Sequence, residues 1–364
     1  MDPLRIGIIG VGNISGIYFE NLGKFRSTEV VAVADLDLDR AKSVAEKQGI
    51  GLAMTPDELL AHGDIELVLN LTVPKAHFSV ALAAVEAGKS VYNEKPLTVT
   101  REDGQRLMAA AHAKGVLVGC APDTFLGGAH QTARALIDSG VIGEPVAAQA
   151  NMLCHGHETW HPSPEFYYEV GGGPMLDMGP YYLTALVQMI GPVRRVTGSV
   201  RATFPTRTIT SQPKAGKVIE VETPTHYSGV LDFVNGAIGE ITTSFDVWGS
   251  KSPLLTVYGT EGTLLVPDPN GFGGEILLAK PGKEWEAVPL THGFAGNSRG
   301  VGVLDMAYAI RTGTSHLASG DLALHVLDVM QSIKEASEKG HHVELTTTVA
   351  RPGAFAADQY ADEA

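Results

Sequence analysis

The chain has 364 residues, 44% apolar and 19% charged, an ordinary globular composition with length enough for two hydrophobic cores. Its 27 basic and 41 acidic side chains give a net charge of -14, which disfavours nonspecific binding to nucleic acid or anionic membranes, and no basic cluster occurs. The two cysteines, Cys120 and Cys154, are no disulfide framework, and no apolar run approaches the ~20 residues that span a bilayer.

The opening MDPLRIGIIGVGN has no basic leader and enters a strand at once, so a cytoplasmic protein without a signal peptide is expected. Residues 4–10 are a continuous apolar run ended by glycine, as in a strand buried on both faces. A helix to about Gly23, a strand at 29–35, a helix at 40–49 and a strand at 65–72 follow. Then come a helix at 75–88, a strand at 90–94, a helix at 101–115 with Thr100 as N-cap, and a strand at 116–122. This alternation predicts a parallel sheet covered on both faces, with ligands beyond the carboxyl ends of its strands. Those ends carry Gly10, Asp35, Thr72, Glu94 with Lys95, and Ala121.

The later chain changes character. After one more helix at 130–140, extended segments are expected at 145–154, 193–204, 217–222, 225–234, 237–247, 253–258 and 262–266. Asn235-Gly236 marks a hairpin turn. A large, mostly antiparallel, one-sided open sheet satisfies this pattern, with helices at 174–190, 298–312 and 320–339 on one face. The fold class is therefore an α/β domain over 1–123 followed by an α+β domain over 124–364. Residues 353–364, small and acidic, read as a loose tail.

Gly10-Val11-Gly12-Asn13-Ile14-Ser15 is a G-x-G-x-x-S version of the dinucleotide fingerprint. Gly10 serves the tight turn, Gly12 lets the backbone approach a pyrophosphate, and the helix N-terminus at Asn13-Ile14 attracts the anion. Asp35 ends the second strand, where a carboxylate accepts the ribose hydroxyls. With Asp37 it would repel a 2′-phosphate, so NAD is favoured over NADP, although Arg40 lies close by in sequence. In YNEKPLT (92–98), Pro96 cannot continue a central strand, so Lys95 should stand just past a strand end on a stiff turn.

With NLTVPKAH (70–77), NEKPLT (93–98) and GGGPMLDMGPYYL (171–183) added to the fingerprint, the chain resembles the Gfo/Idh/MocA oxidoreductase family over nearly its whole length. The resemblance implies a Rossmann domain at 1–123 that binds NAD. It also implies a substrate-binding domain at 124–364, whose sheet serves a homodimer or homotetramer, and hydride transfer on a sugar, polyol or related carbohydrate. It assigns Lys95, Asp177 and Tyr181 to catalysis, and Thr72, Pro74, His77, Glu94 and Lys95 to the cofactor side. Two departures stand out. Tyr181 occupies the position where many members have histidine, and CAPDTF (120–125), with Asp123, replaces an Asn-x-Arg step.

Asp177 and Tyr181, four apart, share a helix face, and Pro180 is expected in the first helical turn, which sets the helix start near Asp177. A buried Asp N-cap beside a core tyrosine is the plain alternative. His77 lies near the nicotinamide or on a helix surface. CHGHETWHP (154–162) offers Cys154, His155, His157 and His161 to a metal, but no second, separated ligand pair accompanies them, so no metal is assigned. His157, Trp160, His161 and Asp123 are instead candidate substrate contacts. Two other functions compete with a dehydrogenase: glycoside cleavage through transient oxidation by bound NAD, and a non-catalytic NAD-binding regulator.

Overall fold

Every residue of Leu67–Asn70 and Ser90–Asn93 is buried, as in strands covered by helices on both sides. They belong to a computed structural model that describes residues 2–363. The first elements are β1 (Leu4–Ile9), α1 (Ser15–Leu22), β2 (Thr28–Ala34), α2 (Leu38–Gln48), β3 (Leu52–Met54) and α3 (Pro56–Ala61). Next are β4 (Leu67–Asn70), α4 (Pro74–Glu86), β5 (Ser90–Asn93), α5 (Arg101–Lys114), β6 (Val118–Cys120), α6 (Gly128–Asp138), β7 (Pro145–Leu153) and α7 (Gly173–Ile190). The strand-rich region holds β8 (Val193–Arg201), β9 (Thr206–Thr208), β10 (Val218–Glu220), β11 (His226–Phe233), β12 (Ile238–Ser244), β13 (Leu255–Gly259) and β14 (Thr263–Val266). It continues with β15 (Ile276–Ala279) and β16 (Glu286–Val288), before α8 (Val301–Thr312), α9 (Gly320–Lys339) and β17 (Val343–Glu344).

The chain forms two compact units. The first contains residues through Leu126 together with Asn297–Leu324 and Ala356–Ala364; the second contains Gly127–Gly296 and His325–Phe355. The single cut expected after residue 123 misses these returns. Their cause is long-range and polar. The buried Asp123 carboxylate accepts the N–H groups of Gly300 (2.8 Å) and Gly302 (3.0 Å) at the start of α8, and His316 Nε2 lies 3.0 Å from the Val118 carbonyl oxygen.

The six-stranded sheet of the first unit has the order β3-β2-β1-β4-β5-β6, and all its pairs are parallel. Its order reverses at β1, where such sheets open a ligand crevice. Local caps fix the helix starts: Asp37 accepts from Arg40 N, and Thr100 accepts from Asp103 N as expected. β3 and α3 escaped the sequence reading, although Thr55-Pro56-Asp57-Glu58 carries the signal. Thr55 and Glu58 bond reciprocally, with Pro56 in the first turn.

The loose tail is corrected here. Phe355 is buried, and in the first unit Glu363 accepts Ser27 N (2.9 Å) and Ser27 Oγ (2.6 Å) and also the Tyr308 hydroxyl. Tyr360 donates to Asp305 at 2.7 Å. Small acidic residues look solvated until their partners are known.

The second unit is built on a nine-stranded sheet, β16-β15-β14-β13-β7-β12-β11-β8-β17, antiparallel except for the β7–β12 pair. Buried residues alternate with more accessible ones, mostly half-buried, along β11, β14 and β15, so one face is the better covered. Helix α7 packs on β7, β11 and β12. Ile333 of α9 approaches the register pair Gly198–Gly229, where a Cβ on Gly198 would fall 2.9 Å from Ile333 Cγ2. The Asn235-Gly236 turn joins β11 and β12 as predicted, and β9 and β10 form a separate two-stranded ribbon.

Pro180 is not in the first turn of its helix. Helix α7 starts at Gly173, Pro174 fills the early position, and Pro180 lies inside. The sequence holds two prolines that satisfy the rule, and the earlier one begins the helix because Gly173 adopts φ +86° just before it. Asp177 is therefore an interior helical residue and not an N-cap.

Candidate active site

In the first unit the chain leaves β1 at Gly10, whose φ is +93° and whose hypothetical Cβ would fall 2.9 Å from the backbone of Leu71 and Thr72. Only glycine fits there. A Cβ on Gly12 would meet nothing within 4 Å, so the backbone borders open space. Ile14, the N-cap of α1, supplies no side-chain cap to the first-turn N–H groups, and Ser15 Oγ donates to the Gly12 carbonyl at 2.7 Å. An open cradle below uncapped helical N–H groups fits a pyrophosphate. Asp35 stands at the end of β2 and accepts Val11 N (3.1 Å) and Asp37 N (3.0 Å). The Arg40 guanidinium lies 3.5 Å from both Asp35 and Asp37.

Two strand ends are then tied together. Asn70 at the end of β4 donates to Asn93 at the end of β5 (3.0 Å) and accepts from Thr72 N (3.3 Å) and Thr72 Oγ1 (2.7 Å). Asn93 in turn donates to the Leu97 carbonyl at 3.1 Å. Glu94 accepts the Tyr18 hydroxyl at 2.8 Å and Lys95 N at 3.0 Å, which links α1 to the Lys95 turn. The Lys95-Pro96 peptide is cis. Asn70, Asn93 and Tyr18 were missed from sequence, although both asparagines stand in the quoted strand-end motifs.

His77 is fully buried in the first turn of α4, against its surface alternative, with Nδ1 2.6 Å from the Pro96 carbonyl and Nε2 3.0 Å from that of Thr72. Burial pushes its imidazole down, partly offset by those carbonyls. Pro74 opens α4 after Val73. Asp123, proposed from sequence as a substrate contact, has its carboxylate engaged at the start of α8; burial raises it to about 6 against the pull of Gly302 and Gly300 N–H. The Cys120 thiol is buried against the Ala121 carbonyl, and desolvation pushes it well up.

In the second unit, Asp177 and the buried Tyr181 are one turn apart on α7. His157 Nε2 lies 3.3 Å from Asp177 Oδ2. The His157 ring is enclosed by Tyr167 (4.4 Å between centroids), Phe245 (4.6 Å) and Trp160 (5.2 Å). A carboxylate–imidazole pair among aromatic faces suits a ligand with hydroxyls on one side and C–H groups on the other. His161 accepts Ser163 N at 3.0 Å, and burial lowers its imidazole. Tyr167 and Phe245 join this cluster without any sequence signal, because ring contacts at such separations leave no local pattern.

His155 stacks on Trp248 at 3.4 Å, so the histidines of residues 154–161 face different partners. Among the described residues, no group of three His, Cys, Asp or Glu side chains is disposed to hold a metal ion. No helix among them is long and apolar enough to cross a membrane.

Comparison with known proteins agrees with both units. Residues 4–121 match the oxidoreductase family with an NAD-binding Rossmann fold, and residues 130–265 match the GFO/IDH/MocA C-terminal domain. Myo-inositol 2-dehydrogenase of Thermotoga maritima is 26% identical over 287 residues, 76% of this chain and 81% of that one. The 1,5-anhydro-D-fructose reductase of Ensifer adhaerens is 29% identical over 283 residues, 76% of this chain and 78% of that one. A solved NAD-binding oxidoreductase from Klebsiella pneumoniae superposes with a TM-score of 0.83 at 23% identity, covering 95% of this chain and 100% of that one. The chain is a member of the GFO/IDH/MocA family, oxidoreductases with an NAD-binding Rossmann domain.

Proposed function

We propose that the protein is an NAD-dependent dehydrogenase of a sugar, polyol or related carbohydrate. The observation that carries the substrate class is the Asp177–His157 pair inside its ring of Tyr167, Phe245 and Trp160. The names of the relatives, an inositol dehydrogenase and an anhydrofructose reductase, point the same way. When bound, the nicotinamide supplies the hydride acceptor. The substrate CH–OH gives up a hydride from carbon and a proton from oxygen and becomes a carbonyl. Lys95 hydrogen-bonds that oxygen and steadies its negative charge, Tyr181 takes the proton, and Asp177 holds a neighbouring hydroxyl. His157, Trp160 and His161 complete recognition.

NAD is the preferred cofactor, because Asp35 and Asp37 carry negative charge where a 2′-phosphate would lie. The exposed sheet residues Val146, Ile238 and Tyr258 support self-association as a dimer or tetramer, which light scattering would measure. The function is tested with a panel of sugars and polyols and NAD, followed at the NADH absorbance. Failure of every compound, with NAD binding intact, would overturn the reading.

A further inference from the structure

Residues 154–168 carry His157, Trp160 and His161 but contain only one short 3-10 turn, at Glu165–Tyr167, so side chains must set their position. The β9–β10 ribbon supplies the fixings. Arg207 of β9 is buried and donates to Glu158 Oε1 (2.8 Å), to the Phe245 carbonyl (2.7 Å) and to Asp246. The other Glu158 oxygen accepts the Tyr168 hydroxyl, and Tyr168 Oη accepts His157 N at 3.4 Å. The Glu158 carbonyl accepts Thr210 N and Ser211 N (2.9 and 3.1 Å), while Lys214 and Lys217 pair with Glu165 at 2.6 and 2.8 Å.

The His157 Nδ1 is buried with no partner among the described residues, so the ring's one side-chain tie runs through Nε2, 3.3 Å from Asp177 Oδ2. The ring's use is to donate Nε2–H to Asp177 and aim that carboxylate. Its own place depends on Glu158 and Tyr168, and theirs on Arg207.

We propose that Arg207 is a positioning residue for carbohydrate recognition: it braces residues 154–168 and so keeps His157 on Asp177. This rests on the carbohydrate reading above. Arg207 itself is not assigned to substrate or cofactor, so its loss should act on KM and leave NADH affinity alone. The fork is essential, since one guanidinium serves two carboxylates and a carbonyl, a geometry that an ammonium does not reproduce.

The experiment compares Arg207→Lys and Arg207→Met with the unsubstituted protein and with His157→Gln. Expected are a KM raised at least about tenfold in both Arg207 variants, kcat within about threefold, and unchanged NADH binding. Arg207→Lys combined with His157→Gln should be no worse than the poorer single variant. Hydrogen exchange should quicken in residues 154–168 and stay the same in β11 and β12, a readout that needs no substrate. If Arg207→Met does not fold, Arg207→Lys decides alone. Parental KM, additive losses, or unaltered exchange in 154–168 would overturn the brace. If the unsubstituted protein oxidises no carbohydrate, the dehydrogenase reading fails, and exchange still judges the brace.

Discussion

His77 holds the Pro96 carbonyl oxygen 2.6 Å from its Nδ1, one residue beyond Lys95, and reaches back with Nε2 to the Thr72 carbonyl at 3.0 Å. One buried ring thus joins the loops that follow β4 and β5. A neutral imidazole donates only one N–H, so the second contact is tolerated because the surrounding strands impose it. His77→Phe keeps an aromatic ring and removes both ring nitrogens. NADH affinity should fall about tenfold, near 1.4 kcal/mol, in a fluorescence titration. Parental affinity and turnover would show the clamp to be idle.

Arg40 sits 3.5 Å from Asp35 and from Asp37, so two carboxylates occupy the cation that a 2′-phosphate would need. NAD should bind more tightly than NADP. Asp35→Ser should narrow the difference by removing ribose acceptors and releasing Arg40, and adding Arg40→Ala should restore discrimination against NADP. Equal affinity for both cofactors in the unsubstituted protein would defeat this assignment.

Lys95 stands on a turn fixed by Glu94 from one side and by Asn93, through Leu97, from the other. Lys95→Ala should keep NADH binding and lower kcat/KM at least about a hundredfold, roughly 2.7 kcal/mol of transition-state stabilisation. Tyr181→Phe should lose turnover while retaining the cofactor. Near-parental rates in steady-state assays of either variant would remove that residue from the mechanism.

Burial holds His130 down at about 4, and the Gly271 carbonyl 3.2 Å from Nε2 only partly offsets it. An imidazole ordinarily titrates near ~6.5. Between those values the unfolded chain binds more protons than the folded one, so stability is full above the upper value and falls as pH drops toward the lower. The gap is worth roughly 3 kcal/mol. Asp123, raised by burial to about 6, has the opposite sign and favours the folded state as pH falls. The difference between the parent and His130→Phe isolates the histidine. Thermal melts from pH 7 to pH 4 should show a flatter profile for the variant, and parallel profiles would refute the assignment.

Much of the first unit was legible because parallel strands buried on both faces leave unbroken apolar runs, and because Thr100 and Gly49 mark helix ends chemically; Asp37, which caps α2, was not read as a cap. The glycine turn and Asp35 were legible for the same reason: backbone geometry selects residue types. Distant pairings were not. Neither the Asn70–Asn93 amide pair nor the Arg207 fork has a sequence period, and each involves residues that look like loop or strand-edge polars when read alone. Pro180 misled because Pro174 already fulfilled the same rule six residues earlier.

Ser27 and Glu363 are 336 positions apart, and their bonds close nearly the entire chain into one loop. At a ribosomal pace of about 5–20 residues per second, Ser27 waits roughly a quarter of a minute to a minute for its partner to be made. The sheet around β1 and β2 therefore forms without this latch, which closes only after Glu363 has been made. Truncation ahead of Glu363 would leave Lys95, Asp177 and Tyr181 in place and still strip Ser27 N and Ser27 Oγ of their acceptor, so the seam just before β2 would stay open.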